Sequence, residues 1–155
     1  MISLTNRNIL IELEKDLYVR RYFVGVFPRD KLPKIVPYPS GLIVNTHPMG
    51  SQGEHWLAMF FNKSKNCEFF DSFGFTAKEY GFEKYIKSLS REYKNNLFQM
   101  QDTNSNACGY YCIYFILLKS RGFSLEDINN LFSKSNILLI KIKTSTINIP
   151  KQNLF

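Results

Sequence analysis

Gln101 stands seven residues before Cys108 in Gln101-Asp-Thr-Asn-Ser-Asn-Ala-Cys108-Gly109-Tyr-Tyr-Cys112, and the cysteine opens an apolar run. A thiol at the start of a helix can become a nucleophile, because the unpaired first-turn amides and the helix dipole favour the thiolate. A side-chain amide just upstream can donate to the oxyanion that forms when a thiolate attacks a carbonyl. Forty-six residues before Gln101 stands His55, in Gly53-Glu54-His55-Trp56, and Asp71 follows in Phe69-Phe70-Asp71-Ser72-Phe73-Gly74. An imidazole takes or shares the thiol proton and returns it to a leaving amine, while a carboxylate holds the ring's tautomer and orientation. Together Cys108, His55, Asp71 and Gln101 indicate a thiol hydrolase.

Each of these residues has a plainer role when taken singly. A cysteine starting an apolar helix is most often a small core residue, a His-Trp pair on an apolar strand is more often structural, and an aspartate before Ser-Phe-Gly is more often a turn residue. What those roles leave unexplained is the ordered combination with Gln101. Cys112 lies one helical turn after Cys108 on the apolar face and reads as core, and Cys67 alternates into the same kind of surroundings. A zinc site built from His55 and the cysteines fits no standard ligand spacing, so no metal is expected. His47, before Pro48, reads as a loop residue, and Trp56 as a wall beside the histidine or as plain core.

The elements that must bring the four together follow from periodicity. Residues 6–16 carry Ile9, Leu10 and Leu13 at helical spacing, with Leu17 next in the series, while 23–27 and 42–45 read as short strands. Residues 56–61 and 67–70 are apolar and aromatic, separated by the polar cluster Asn62-Lys63-Ser64-Lys65-Asn66, and read as a β-hairpin. A three-residue loop pairing Phe61 with Lys65 sets His55 opposite Asp71, whereas a five-residue loop sets Leu57 there. Strand side chains alternate with period two, so both registers leave His55 and Asp71 on one face. Thr76-Ala-Lys-Glu79 has capping-box spacing, and a helical region interrupted at Gly81 is expected to continue over 82–93. Residues 97–101 read as a strand ending at Gln101, 110–118 as a buried helix, and 124–132 as a last helix.

The chain has 155 residues, 45% hydrophobic and 15% aromatic, enough for one folded domain over 1–155 with a sizeable core. No apolar stretch approaches the roughly 18 residues that span a bilayer, and the N-terminus lacks a signal-peptide core, so a soluble protein without membrane association is expected. Three cysteines without a secreted spacing pattern fit a reducing compartment. The net charge of +7 is spread, with +2 over residues 1–54, +1 over 55–107 and +4 over 108–155. Such an excess suits non-specific DNA binding through counterion release, although a basic surface is also common on proteins with no such role. The C-terminal Lys141-Ile-Lys143 reads as a solvated strand edge. No repeat or low-complexity tract divides the chain.

Gly-Glu-His55-Trp56-Leu-Ala-Met, Cys67-Glu-Phe-Phe-Asp71-Ser-Phe-Gly-Phe75 and Asn104-Ser105-Asn106-Ala107-Cys108-Gly109 after Gln101 resemble the adenovirus maturation protease family, the adenains, which virophages and Polinton-type elements also encode. Asn45-Thr46 and Tyr22-Phe23-Val24-Gly25 extend the likeness over most of residues 15–120. The resemblance implies an α+β fold of the papain-like cysteine protease group, with rearranged element order and a central mixed sheet flanked by helices. It implies a monomeric endopeptidase that cleaves capsid and core precursors near Gly-Gly or Gly-x sites, acting in the virion and in the nucleus or cytoplasm of the host, and needing no obligatory cofactor. By position, His55, Asp71, Gln101 and Cys108 match the family's triad and oxyanion residue. Asp71 stands where adenoviral enzymes often carry glutamate, whereas the related SUMO-protease group uses aspartate there. Adenoviral members are activated by a viral peptide tethered through a cysteine between the acid and glutamine motifs, and residues 72–107 contain none. A disulfide tether there is therefore excluded, while activation by DNA or by an untethered peptide stays open. The competing functions are a ubiquitin- or SUMO-type isopeptidase using the same four residues, and a catalytically silent nucleic-acid-binding virion protein.

Overall fold

A computed structural model describes residues 3–50 and 55–133 of the chain. Helix α1, Asn6–Glu14, starts at Thr5, whose side chain accepts from the Asn8 amide while Asn8 reaches back to the Thr5 amide, and it buries Ile9 and Leu13. A single 3-10 turn, Val19–Arg21, leads into strand β1, Phe23–Pro28. Strands β2 (Ser40–Asn45), β3 (Trp56–Phe61), β4 (Cys67–Phe70) and β5 (Tyr93–Asn95) complete a sheet in the order β1-β2-β3-β4-β5. The pairs β1·β2 and β4·β5 are parallel, and β2·β3 and β3·β4 antiparallel, so the sheet is mixed.

Every residue of β2 and β3 is buried, which explains why these segments read as continuous apolar runs. The strand period of two divides their side chains between two cores. On one face Ile43, Trp56, Ala58, Phe60 and Phe70 meet α1, helix α3 (Cys108–Lys119) and helix α4 (Leu125–Ser133). On the other, Leu42, Val44, Leu57, Met59, Phe61 and Phe69 meet Phe82 and helix α2 (Glu83–Leu89). Helix α3 is buried almost throughout, in keeping with its composition. The α+β class read from the sequence is the class observed.

Two expected elements differ. The predicted helix over 82–93 ends at Leu89, and Tyr93, its expected last residue, begins β5 instead. The Thr76–Glu79 reciprocal bonds do form, but they close a turn that Gly81, at φ +82°, ends before α2 starts. Residues 97–101 are not a strand. The ladder to β4 is taken by Tyr93, Lys94 and Asn95, and the amides of Met100 and Gln101 both turn to one acceptor, the Ser72 carbonyl. Leu97 and Phe98 are accordingly exposed rather than packed. The segment Lys141–Lys143 lies outside the described residues.

Candidate active site

The hairpin register decides where His55 stands. Phe61 pairs with Cys67 and Ala58 with Phe70, so the loop is the five-residue one and Leu57, not His55, is level with Asp71. His55 sits one step beyond the end of β3 on the same face, and its ring reaches diagonally to Asp71: Nε2–H donates to Asp71 Oδ1 at 2.5 Å.

Asp71 is fully buried, and four donors satisfy its carboxylate. Besides His55, the Phe73 amide donates to Oδ1 at 3.1 Å, and the Phe75 amide and Tyr80 hydroxyl donate to Oδ2 at 2.9 and 3.0 Å. The backbone of Asp71 is clamped separately by buried Asn96, whose Oδ1 accepts from the Asp71 amide at 2.7 Å and whose Nδ2 donates to the Asp71 carbonyl at 2.6 Å. Gly74 closes the turn after Asp71 at φ +80°, and a Cβ there would meet the Phe98 carbonyl carbon at 2.8 Å. The acid loop is thus pressed against residues 98–101.

Phe73 stacks on the His55 ring at 4.8 Å with 23° between planes, and Tyr80 lies against it at 5.9 Å and 28°. Such faces attract an imidazolium. With Nε2 engaged by Asp71, Nδ1 is left for the Cys108 thiol. Burial alone would lower the His55 pKa, but hydrogen bonds to Asp71 and Cys108, and their negative charge, outweigh it and raise it to about 9.

Cys108 is the first residue of α3 and is nearly buried. Burial pushes its thiol up; the His55 hydrogen bond, the Trp56 and Gly109 amides and the His55 charge pull harder, and the net direction is down. Ala107, which caps α3, offers no side-chain acceptor, so the first-turn amides stay free to serve the sulfur and what it attacks. A thiol held down beside a histidine held up favours transfer of the thiol proton to the imidazole, the arrangement that lets a sulfur attack an electrophilic carbonyl and an imidazolium return a proton to the leaving group.

Gln101 is buried, and its Nε2 donates to the Ser105 carbonyl at 2.6 Å, in the loop that delivers Cys108. Trp56 faces away from the ring of His55. It packs against Gly109, where its Cδ1 would lie 3.2 Å from an added Cβ, and its indole N–H donates to the Leu4 carbonyl. It is therefore a core residue under the head of α3 that contributes its backbone amide to the sulfur. Cys112 and Cys67 are buried free thiols, with burial pushing both well up. His47 lies in a bend, its Nδ1 3.1 Å from the Thr46 hydroxyl. Among the described residues no three metal-ligating side chains come together.

The adenovirus endoprotease family matches residues 23–151, which include both strands of the hairpin, the acid loop and α3. The chain belongs to the adenovirus endoprotease family. Within it, the chain is 32% identical over 123 residues to the protease of bovine adenovirus 2, covering 66% of this chain and 57% of that protein. It is 33% identical over 125 residues to the protease of human adenovirus A serotype 12, covering 69% of this chain and 60% of that protein. The chain thus spans about three fifths of the length of these relatives. The crystal structure of an ASFV protease shares the fold, with a TM-score of 0.57 at 18% identity, over 96% of this chain and 69% of that one.

Of the residues named from the sequence, the structure brings His55, Asp71 and Cys108 together and ties Gln101 to Ser72, next to Asp71, and to Ser105, three residues before Cys108. Sequence reasoning missed the supporting residues Ser72, Tyr80 and Asn96. For Asn96 a signal existed: Asn95-Asn96 is a pair of short amides between two regular segments, where such side chains bond to neighbouring backbone. For Tyr80 there was none, because the turn that aims its hydroxyl at Asp71 has no period.

Proposed function

We propose that the protein is a cysteine endopeptidase of viral maturation type, cleaving capsid and core precursor proteins in the virion or infected cell. The observation that carries this reading is the chain Cys108–His55–Asp71 at the head of a buried helix, in a member of an endoprotease family. The Cys108 thiolate attacks the scissile carbonyl carbon, and the Cys108 amide with Gln101 Nε2 receives the oxyanion. The His55 imidazolium gives its Nδ1 proton to the leaving amine, leaving an acyl thioester. His55, now neutral, takes a proton from water as the water attacks, and the carboxylate product departs with the thiolate restored. Asp71 keeps Nε2 protonated throughout.

Cleavage near Gly-Gly or Gly-x sequences, a monomeric enzyme, and stimulation by DNA through the basic excess belong to the same proposal. The test is to incubate the purified protein with the virus's own capsid precursors, with and without DNA, beside a Cys108→Ala variant. The wild type is expected to cut and the variant to be inactive; cleavage that survives in the variant rejects the nucleophile. Fluorogenic ubiquitin, run in parallel, separates an isopeptidase, which turns it over in preference to capsid-derived peptides.

A further inference from the structure

Ser72 follows Asp71 directly and is fully buried, yet it takes no part in the steps above. Its hydroxyl donates to Gln101 Oε1 at 2.6 Å, and its carbonyl accepts from the amides of Met100 at 2.8 Å and Gln101 at 3.0 Å. One residue therefore holds both the backbone and the side chain of the glutamine. The other end of that side chain meets the Ser105 carbonyl, which can only accept, so the amide nitrogen must lie there and the amide oxygen must face Ser72. The Ser105 carbonyl sets the orientation, and the Ser72 hydroxyl, which can donate or accept, donates to the oxygen so placed. Nε2 carries two hydrogens; Ser105 takes one, and the second is the one available to an oxyanion.

We infer that Ser72 is a positioning residue for the oxyanion step: its hydroxyl fixes the Gln101 carboxamide so that the remaining Nε2–H points where negative charge develops. The inference rests on the cysteine-protease reading. It also gives the acid loop a second task, because the residue that follows the histidine's carboxylate partner aims the oxyanion donor. Without the hydroxyl, Oε1 is a buried acceptor with no donor from Ser72, and the carboxamide is free to turn to another partner. An amide displaced in this way donates less well to the transition state while leaving ground-state binding alone.

The experiment is a double-mutant cycle with Ser72→Ala, Gln101→Ala and the pair, read on a peptide substrate, with iodoacetamide labelling of Cys108 followed in each. Labelling needs the activated thiol but no oxyanion donor. Ser72→Ala is expected to lower kcat roughly tenfold with KM unchanged and labelling within about twofold of wild type, and Gln101→Ala to lower kcat about a hundredfold. The double variant should be no slower than Gln101→Ala, and Ser72→Thr, which keeps the donor, should recover most of the rate. Effects that multiply in the double variant, or labelling that falls in step with kcat, overturn the inference. Should wild type cut no peptide, the protease reading fails by itself and the side-chain amide resonances of Gln101 decide for Ser72: two separated, exchange-protected protons in wild type support it, and rapidly exchanging ones overturn it. The same wild-type measurement decides if Ser72→Ala does not fold.

Discussion

His55 and Asp71 lie 2.5 Å apart without being cross-strand partners. The hairpin puts Leu57 level with Asp71, and the histidine reaches across from the next position on the same face. This offset leaves the ring at the end of β3, beyond the last pair of the ladder, where Phe73 and Tyr80 cover it and Cys108 approaches from α3. A directly opposed histidine would have sat inside the hairpin ladder.

The pH dependence follows from the pair. The thiol is held below its ordinary 9 and the imidazole above its ordinary 6.5, at about 9. Cleavage therefore rises as the thiol gives up its proton and falls as His55 loses its own, giving a bell whose basic limb lies near 9. In His55→Gln the alkylation profile of Cys108 should move to higher pH, since the hydrogen bond and charge that hold the thiol down are gone. A profile that does not move would show that His55 leaves the thiol alone.

Thiol selectivity is a separate outcome. Three free cysteines are buried, but only Cys108 has its thiol pulled down, while burial pushes Cys67 and Cys112 up. Mapping of sites after brief iodoacetamide treatment at neutral pH should find Cys108 modified and the other two only after unfolding. Early modification of Cys67 contradicts the assignment.

Tyr80 contributes an O–H and a ring, and two substitutions separate them. Tyr80→Phe removes the donor to Asp71 Oδ2 and keeps the stack on His55; three other donors remain on the carboxylate. A loss of roughly tenfold in kcat is expected, matching about 1.5 kcal/mol for a hydrogen bond to a charged group. Tyr80→Leu removes the ring as well and should lower the basic limb of the pH profile, which Tyr80→Phe should move less. Equal profiles for the two variants would leave the ring without a part in holding the imidazolium.

How much of this was legible depended on whether a residue acts through a period or through a turn. The hairpin parity, the helical start at Cys108 and the apolar body of α3 are periodic, and the sequence shows them. The choice between the three- and five-residue loop was not, because both satisfy the same alternation. Residues 97–101 alternate like a strand, yet the Ser72 carbonyl in the acid loop takes the amides of Met100 and Gln101, and local pattern contains no trace of an acceptor some 28 residues away. Ser72 itself looks like an ordinary turn residue, and its bond to Gln101 spans a separation of 29.

Gly74→Ala tests the close fit of the acid loop. The substitution places a side chain at φ +80° and drives its Cβ to 2.8 Å from the Phe98 carbonyl carbon and 2.9 Å from the Gln99 amide, contacts with backbone that cannot swing away. Strain and clash together should cost about 2–4 kcal/mol in urea unfolding. Because residues 98–101 must shift to admit the methyl, kcat should fall further than stability alone explains at temperatures where the variant is still folded.

Asn96→Asp asks whether the clamp on Asp71 needs its amide. Asn96 accepts from the Asp71 amide and donates to the Asp71 carbonyl, so its side chain serves as a short strand partner where the β4·β5 ladder has ended. An aspartate keeps the acceptor but cannot donate, and it puts a second buried carboxylate beside the first. The Asp71 carbonyl keeps only the Gly74 amide as donor, and the new charge must be neutralised or borne at a cost. Destabilisation of about 2–5 kcal/mol is expected at neutral pH, diminishing toward acid pH as the introduced carboxylate takes up a proton and can donate again. Asn96→Ala should cost a similar amount with no such recovery. The sign of the pH effect therefore distinguishes a hydrogen-bond clamp from a site where only size matters: if Asn96→Asp is no more stable in mild acid relative to wild type than at neutral pH, the clamp does not depend on donation to the Asp71 carbonyl.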